Sequence, residues 1–445
     1  MGSEPVQPPT LPAATGNSGS QSYLIIGAGC FGASTALHLA RSDPSLASKI
    51  TLVDRTPFPC SSAAAHDLNK IIRAEYTDPF YMRLAIEAME LWKSDPIFSP
   101  YFHQVGLLLP TKLEQANKIV ENYTSIASQP APIELIEPDA AKDRFGGIFR
   151  DACLDNVETC LFSPEAGWGD AESALRNVIK SAVSLGVKYA PLEVDKLLFN
   201  ETGHCLGART VTGIDLHARH VILCTGANTA QLLANSDPDK PALHVGDRMV
   251  AAAAIMGAYR VPTEQMRKFD FAPIVVNPVG TTPGESIPPG SAGLLKCTHE
   301  LSFTNMVHHD NLHRRISTPP DGPASSTWTP HVPSQLKNEV KNVKDMLYGE
   351  HVGSLVPEFY RMCWDAVTPN QDFIICAHPH SRNLYIASGG SFHAWKFMTN
   401  IGGYVEKMIR GKLEPDMAKR WAWDRANDGG ACAIYLPSRD LQGIL

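Results

Sequence analysis

Six short stretches of this 445-residue chain combine residue types that could do chemistry. Residues 22–32 read SYLIIGAGCFG, placing Gly27, Gly29 and Gly32 in the spacing G-x-G-x-x-G immediately after an apolar run. Glycines at these positions allow a tight turn and let backbone N–H groups approach a pyrophosphate. Asp54, at the end of KITLVDR (49–55), stands 22 residues after Gly32, where a carboxylate accepts a ribose hydroxyl. HDLNKIIR (66–73) brings two cations, Lys70 and Arg73, close behind this unit, and LLK ends in Lys296. GGSFHAWKF (389–397) surrounds Lys396 with little side-chain bulk, and Cys363 opens CWDAVTPNQDFII. Cations beside an electron-accepting ring stabilise the negative charge the ring gains on reduction.

Such residues need elements to position them. The apolar run before Gly27 predicts a strand, the alanine-rich ASTALHLARS a helix, and KITLVDR a second strand. That strand–turn–helix–strand context makes the glycine pattern a dinucleotide-binding fingerprint. The fingerprint alone leaves NAD and FAD open. A further apolar strand ends at Thr225-Gly226-Ala227, a turn of the kind that closes over FAD, which favours the flavin. No arginine pair follows Asp54 to trap a 2′-phosphate, which argues against NADP.

The stretches GAGCFGASTALHLA, AAAHDLNKIIRAEY, MRLAIEAMELW, FHQVGLLLPT, LLK, CWDAVTPNQDFII and GGSFHAWKF resemble, in that order, one family. It is the monomeric sarcosine oxidase family of FAD-dependent amine oxidases, with its saccharopine, pipecolate and fructosyl amino acid (amadoriase) oxidase branches. The resemblance implies a Rossmann-like FAD-binding domain built from discontinuous segments, with a mixed-sheet α+β substrate domain, as in D-amino-acid-oxidase-like two-domain folds. The FAD domain is expected from 21–100, 160–240 and 350–410, and the substrate domain from 101–159 and 241–349. A disordered leader over 1–20 and a tail over 411–445, with Trp421 and Trp423 closing the entrance, complete the division. The Pro/Gly/Ser-rich 277–293 and 317–335 are expected to be loops.

The resemblance also assigns roles. Gly27, Gly29, Gly32, Asp54, His66, Lys70, Thr225, Gly226, Gly389 and Gly390 would contact FAD, the 389–390 turn offering N–H donors to the ring. Cys363 matches the cysteine that such enzymes join through sulfur to the flavin 8α-methyl carbon. Lys296 matches a lysine serving oxygen activation. Arg73 and Lys396 would hold a substrate carboxylate, with Lys396 also beside the flavin. Glu300 matches an acid on the sugar side of amadoriase substrates, although His299 blurs that alignment by one residue. Phe392 and Trp395 stand where much of the family has small residues, which points toward the saccharopine-type branch and makes Trp395 a substrate contact. The implied activity is oxidation of a secondary amino acid to an imine, then hydrolysis, with O₂ reduced to H₂O₂. Alternatives are a fructosyl amino acid oxidase, a same-fold enzyme using another electron acceptor or tailoring the imine, and an NAD-dependent or non-catalytic dinucleotide binder.

Bulk properties narrow the partners. A net charge of −7 disfavours nucleic acid and anionic membrane. Ten scattered cysteines contain no CxxC pair, so neither a zinc site nor another metal site is expected. The N-terminus lacks the basic and apolar regions of an export signal, and the last residues, GIL, are not a peroxisomal tripeptide, so a cytoplasmic monomer is expected.

Overall fold

The computed structural model describes residues 21–320, 328–427 and 435–444; the expected leader lies outside them. Tyr23–Ile26 is four buried apolar residues, the pattern of a strand covered on both faces. It pairs in parallel with Ile50–Asp54 on one side and His220–Leu223 on the other. Lys188–Pro191 and Leu384–Ser388 extend this sheet in parallel, and Ile374–Ala377 closes one edge antiparallel. The helix Cys30–Ser42 buries nearly every residue from Phe31 to Ala40, the pattern of a helix covered on all sides. It packs against the helices Ala171–Ser184 and Ile401–Ile409.

A nine-stranded mixed sheet forms the second layer, with Pro357–Val367, Val250–Arg260 and Leu294–Thr304 adjacent and antiparallel. Strand alternation divides its chemistry. Leu295 and Cys297 pack with Leu336, Val340 and Val343 of the helix Ser334–Tyr348, while Lys296, Thr298 and Glu300 face a cavity. Likewise Met362 enters the core and Cys363 and Asp365 face the cavity. Ala254 lies opposite Cys363 and Ala258 opposite Lys296, so small residues flank both functional groups.

The structure corrects several expected boundaries. Pro357–Val367 belongs to the nine-stranded sheet and not to the dinucleotide-binding sheet, so the segment expected at 350–410 begins contributing to the latter only at Ile374. Thr159–Ser163 also pairs within the nine-stranded sheet, which moves the boundary expected at 160. The stretch 277–293 is not all loop: Gly284–Ile287 is one of that sheet's strands. Of 317–335, residues 321–327 lie outside the described residues and the helix starts at Ser334. Trp421 and Trp423 are core residues and not a cover, with Trp421 fully buried against Phe80 and Phe373.

Candidate active site

A cavity of about 860 Å³ runs from Gly27 and Asp54, past Lys70 and Cys363, to Arg73 and Lys396. At its first end, Gly27 has φ +96°, and a Cβ there would meet the Cys224 carbonyl oxygen at 2.4 Å. Gly32 is packed so closely that a Cβ would lie 1.8 Å from the Gly27 oxygen; it seats the helix against the turn and does not line the cavity. Gly29 caps that helix without a side-chain bond, and no acid stands in the first turn. The helix start is therefore open to an anion. Asp54 accepts N–H bonds from Ala28 and Arg55, both at 2.8 Å, and lines the cavity with Thr225 and Gly226. A dinucleotide diphosphate fits this cradle.

Beyond it lies a buried charge cluster that hinges on Asp67, a residue no sequence argument singled out. Asp67 is 1% exposed and accepts from Lys70 Nζ at 2.8 Å, Lys296 Nζ at 2.9 Å and the Leu68 N–H at 2.7 Å. Burial raises its carboxyl, but Lys296, Lys70 and Arg361 outweigh that and hold it below the usual carboxylate range. Lys296 also donates to the Asn69 oxygen at 2.7 Å, so two of its three protons are fixed. Burial, opposed by Asp67, leaves Lys296 below the ordinary lysine value. Lys70 moves the other way, because Asp67 outweighs burial. Arg361 donates to the backbone oxygens of His66 and Ala63, tying this segment to the nine-stranded sheet.

Cys363 is nearly buried, and its Sγ lies 3.9 Å from Lys70 Nζ and 3.9 Å from the Ala64 oxygen. Cys30 and Cys224 also line the cavity, and burial pushes both thiols well above the usual range. Two residues on from Cys363, Asp365 accepts N–H bonds from Ala366 and Phe392, both at 2.8 Å. It thereby pins a turn in which Gly389, Ser391 and Phe392 all have positive φ, of +80°, +48° and +63°. The expected N–H donors of this turn are mostly engaged: Ser391 bonds the Ala366 oxygen, and His393 and Ala394 bond the Gly390 oxygen. Gly390 lines the cavity and Gly389 does not.

At the far end Lys396 is buried, and its Nζ donates to the Tyr76 hydroxyl and the His393 oxygen, each at 2.9 Å. Burial, and then Arg73, hold its ammonium well below the ordinary lysine value. The Arg73 guanidinium lies 4.9 Å from the Tyr76 ring centre and bonds the Glu75 oxygen. Opposite these cations Glu300 accepts from the Tyr435 hydroxyl at 3.0 Å, while its second oxygen is buried without a hydrogen-bond partner among the described residues. Burial, and then Glu285, push its carboxyl up to about 8. On the strand Leu294–Thr304, Glu300 faces the cavity, and His299 turns away to Glu339 at 3.1 Å.

Two assignments change. His66 does not reach the cavity; its ring lies 3.5 Å from Glu172, because Asp67 takes the inward position beside it. Trp395 touches the cavity, but its ring stacks on Trp92 at 5.1 Å and its indole donates to the Ala65 oxygen, which makes it chiefly a packing residue. Among the described residues, no group of three or more His, Cys, Asp or Glu could hold a metal ion, and no helix is long and apolar enough to cross a membrane.

Residues 22–408 match the profile described as DAO, FAD dependent oxidoreductase. The chain is 27% identical over 423 residues to the L-saccharopine oxidase of Schizosaccharomyces pombe, covering 92% of this chain and 95% of that protein. It is 23% identical over 403 residues to a monomeric sarcosine oxidase of a Bacillus species, covering 89% and 94%. Among solved structures, a thermally stable fructosyl peptide oxidase mutant superposes with a TM-score of 0.82 at 25% identity, covering 96% of this chain and 98% of that one. A modified fructosyl peptide oxidase from Aspergillus nidulans does so at 0.81 and 26%, covering 96% and 99%. The open helix start, the Gly27–Gly32 turn and Asp54 suit the cofactor this profile describes, and the chain belongs to the DAO family of FAD-dependent oxidoreductases.

Proposed function

We propose that this protein is an oxidase of secondary amino acids that carries FAD covalently through Cys363. One observation carries the reading: two cations, Arg73 and Lys396, close the cavity end beyond the buried Lys70–Asp67–Lys296 cluster and Cys363. A bound FAD supplies a two-electron acceptor for oxidation of the carbon beside the amine to an imine, and O₂ then takes the electrons to give H₂O₂. The protein's part is electrostatic and geometric. Arg73 and Lys396 bind the carboxylate and so orient the amine end of the substrate. Lys70 and Lys296 keep positive charge where negative charge develops. Water hydrolyses the imine once it has formed.

The test is the visible spectrum of the purified protein before and after acid precipitation. The wild type is expected to be yellow, with the colour retained in the pellet, and Cys363→Ala to release it to the supernatant. Peroxide formed on N-substituted amino acids, and not on the parent primary amines, then establishes the substrate class. A colourless protein that FAD does not reconstitute would overturn the reading.

Glu300 supports a second reading, a fructosyl amino acid substrate, because its unpartnered oxygen can bond a hydroxyl-bearing group. The pH dependence separates this from a saccharopine-like substrate. Below pH 8 the Glu300 carboxyl holds a proton; above it the cavity gains a negative charge beside Glu285. For a substrate with a distal carboxylate, kcat/KM is expected to fall about tenfold between about pH 7 and pH 9. A polyhydroxylated substrate shares only the alkaline fall set by Lys396 at the α-carboxylate, so this additional loss is the discriminating signal.

A further inference from the structure

We propose that His393 is a positioning residue that acts through Tyr76 to aim one N–H of Lys396 at the substrate carboxylate. The proposal rests on the assignment of Lys396 and Arg73 to carboxylate binding.

The direction of every bond in this chain can be worked out. His393 Nε2 lies 2.8 Å from the Gln371 carbonyl oxygen, which can only accept, so Nε2 carries a proton. Among the described residues, no acidic group pairs with the ring. Phe373 stacks on it at 4.9 Å, Tyr81 meets it edge-on at 4.8 Å, and Lys396, Arg73 and Arg420 all disfavour a second proton. Burial, and then Lys396, hold the imidazole at about 3, so it is neutral and Nδ1 is an acceptor. The Tyr76 hydroxyl, 3.2 Å away, therefore donates to Nδ1. Its oxygen lone pairs are left to receive Lys396 Nζ at 2.9 Å. The His393 backbone oxygen takes a second ammonium proton, also at 2.9 Å. One N–H of Lys396 remains, and Lys396 lines the cavity.

Tyr76 serves both cations at once. Its oxygen holds Lys396, and its ring faces the Arg73 guanidinium at 4.9 Å. A carboxylate in that place would neutralise the pair and compete with the substrate. A neutral phenol, with its hydroxyl turned by a neutral imidazole, braces two like charges and leaves both to attract an anion. The titratable groups that act on Lys396 besides Arg73 are Glu285, Glu75 and the Cys30 thiol, and none of them bonds its ammonium.

The experiment titrates the holoenzyme with a thioether carboxylate, in which sulfur replaces the amine so that no turnover occurs. Binding is followed by the change in visible absorption across a pH series. A carboxylate ligand needs the charged ammonium, so affinity falls as pH rises through the Lys396 titration. His393→Leu is expected to weaken binding about tenfold near neutrality and to move this alkaline limb to lower pH, because Tyr76 is no longer turned toward Lys396. His393→Asn, whose amide oxygen can take the place of Nδ1, is expected to restore the wild-type limb. Tyr76→Phe should reproduce the leucine variant, and it carries the test if His393→Leu fails to retain FAD. A merely structural loss would weaken binding at every pH without moving the limb. A limb unmoved in Tyr76→Phe and His393→Leu overturns the role of His393. A wild type that ignores carboxylates overturns the proposed function instead.

Discussion

Replacing Asp67 by alanine is expected to cost the folded protein about 3–5 kcal/mol, the usual consequence of removing one partner from a buried ion pair. The carboxylate is 1% exposed and receives Lys70, Lys296 and a backbone N–H. Without it, Lys70 and Lys296 lose the carboxylate that both bond, and the adjacent Arg361 loses a neighbouring negative charge. Chemical denaturation checks this through a lower midpoint at unchanged slope. Asp67→Asn, which keeps the shape and loses the charge, should behave nearly as badly; if it were wild-type-like, packing and not charge would be the cause. The sign of the pH effect follows from the depressed carboxyl. Its contribution is complete above the ordinary value of 3.8 and is lost as pH falls toward the folded-state value below it. The difference between wild type and Asp67→Ala should therefore narrow only below about pH 4.

Lys296→Met is expected to lower the rate of reaction with O₂ by about 10²–10³-fold, the effect of removing one preorganised charge from a water-poor site. Its ammonium is anchored by Asp67 and the Asn69 oxygen, which leaves one N–H for the cavity. Methionine keeps the chain length and apolar packing while removing that charge. Oxygen consumption at saturating amine reads the loss. Anaerobic bleaching of the visible absorption by the same amine, which needs no oxygen, should slow by less than about tenfold. Equal slowing of both half-reactions would make Lys296 a residue of amine oxidation instead. Because Asp67 and Lys296 touch, their effects should not add in the double variant.

Residues 22–55 announced their structure because every signal there is local: an apolar strand, a glycine turn, an alanine-rich helix and a terminal acid. Cys363, Lys296, Arg73 and Lys396 were singled out chiefly through the family resemblance, and the fold brings them to one cavity. Asp67 was not. In HDLNK it reads as one polar residue among several, and only the approach of Lys296 from a strand far along the chain reveals it. His66 drew attention instead, for it has the more reactive side chain, but in the segment before the strand Asn69–Ile72 its ring turns to Glu172 and away from the cavity. Tyr76, His393 and Asp365 lay inside stretches already noticed, yet their roles depend on bonds made across the fold. Tyr435 comes from the tail, whose tryptophans suggested a cover and proved to be core. The sheet membership of Pro357–Val367 was equally hidden, because a buried apolar strand looks alike in either layer.

The buried thiols around the cavity bear on how long such an enzyme would last. Peroxide attacks thiolates far faster than thiols, and the desolvation that pushes up Cys30 and Cys224 keeps both protonated. An enzyme that released an oxidant beside them would thus be sheltered from its own product by the dryness that serves its chemistry. Met256, on the same wall, has no such protection, since a thioether needs no ionisation to become a sulfoxide. Wear over many turnovers would then begin at a methionine on the sheet face next to Lys296 and Thr298 sooner than at Cys30 or Cys224.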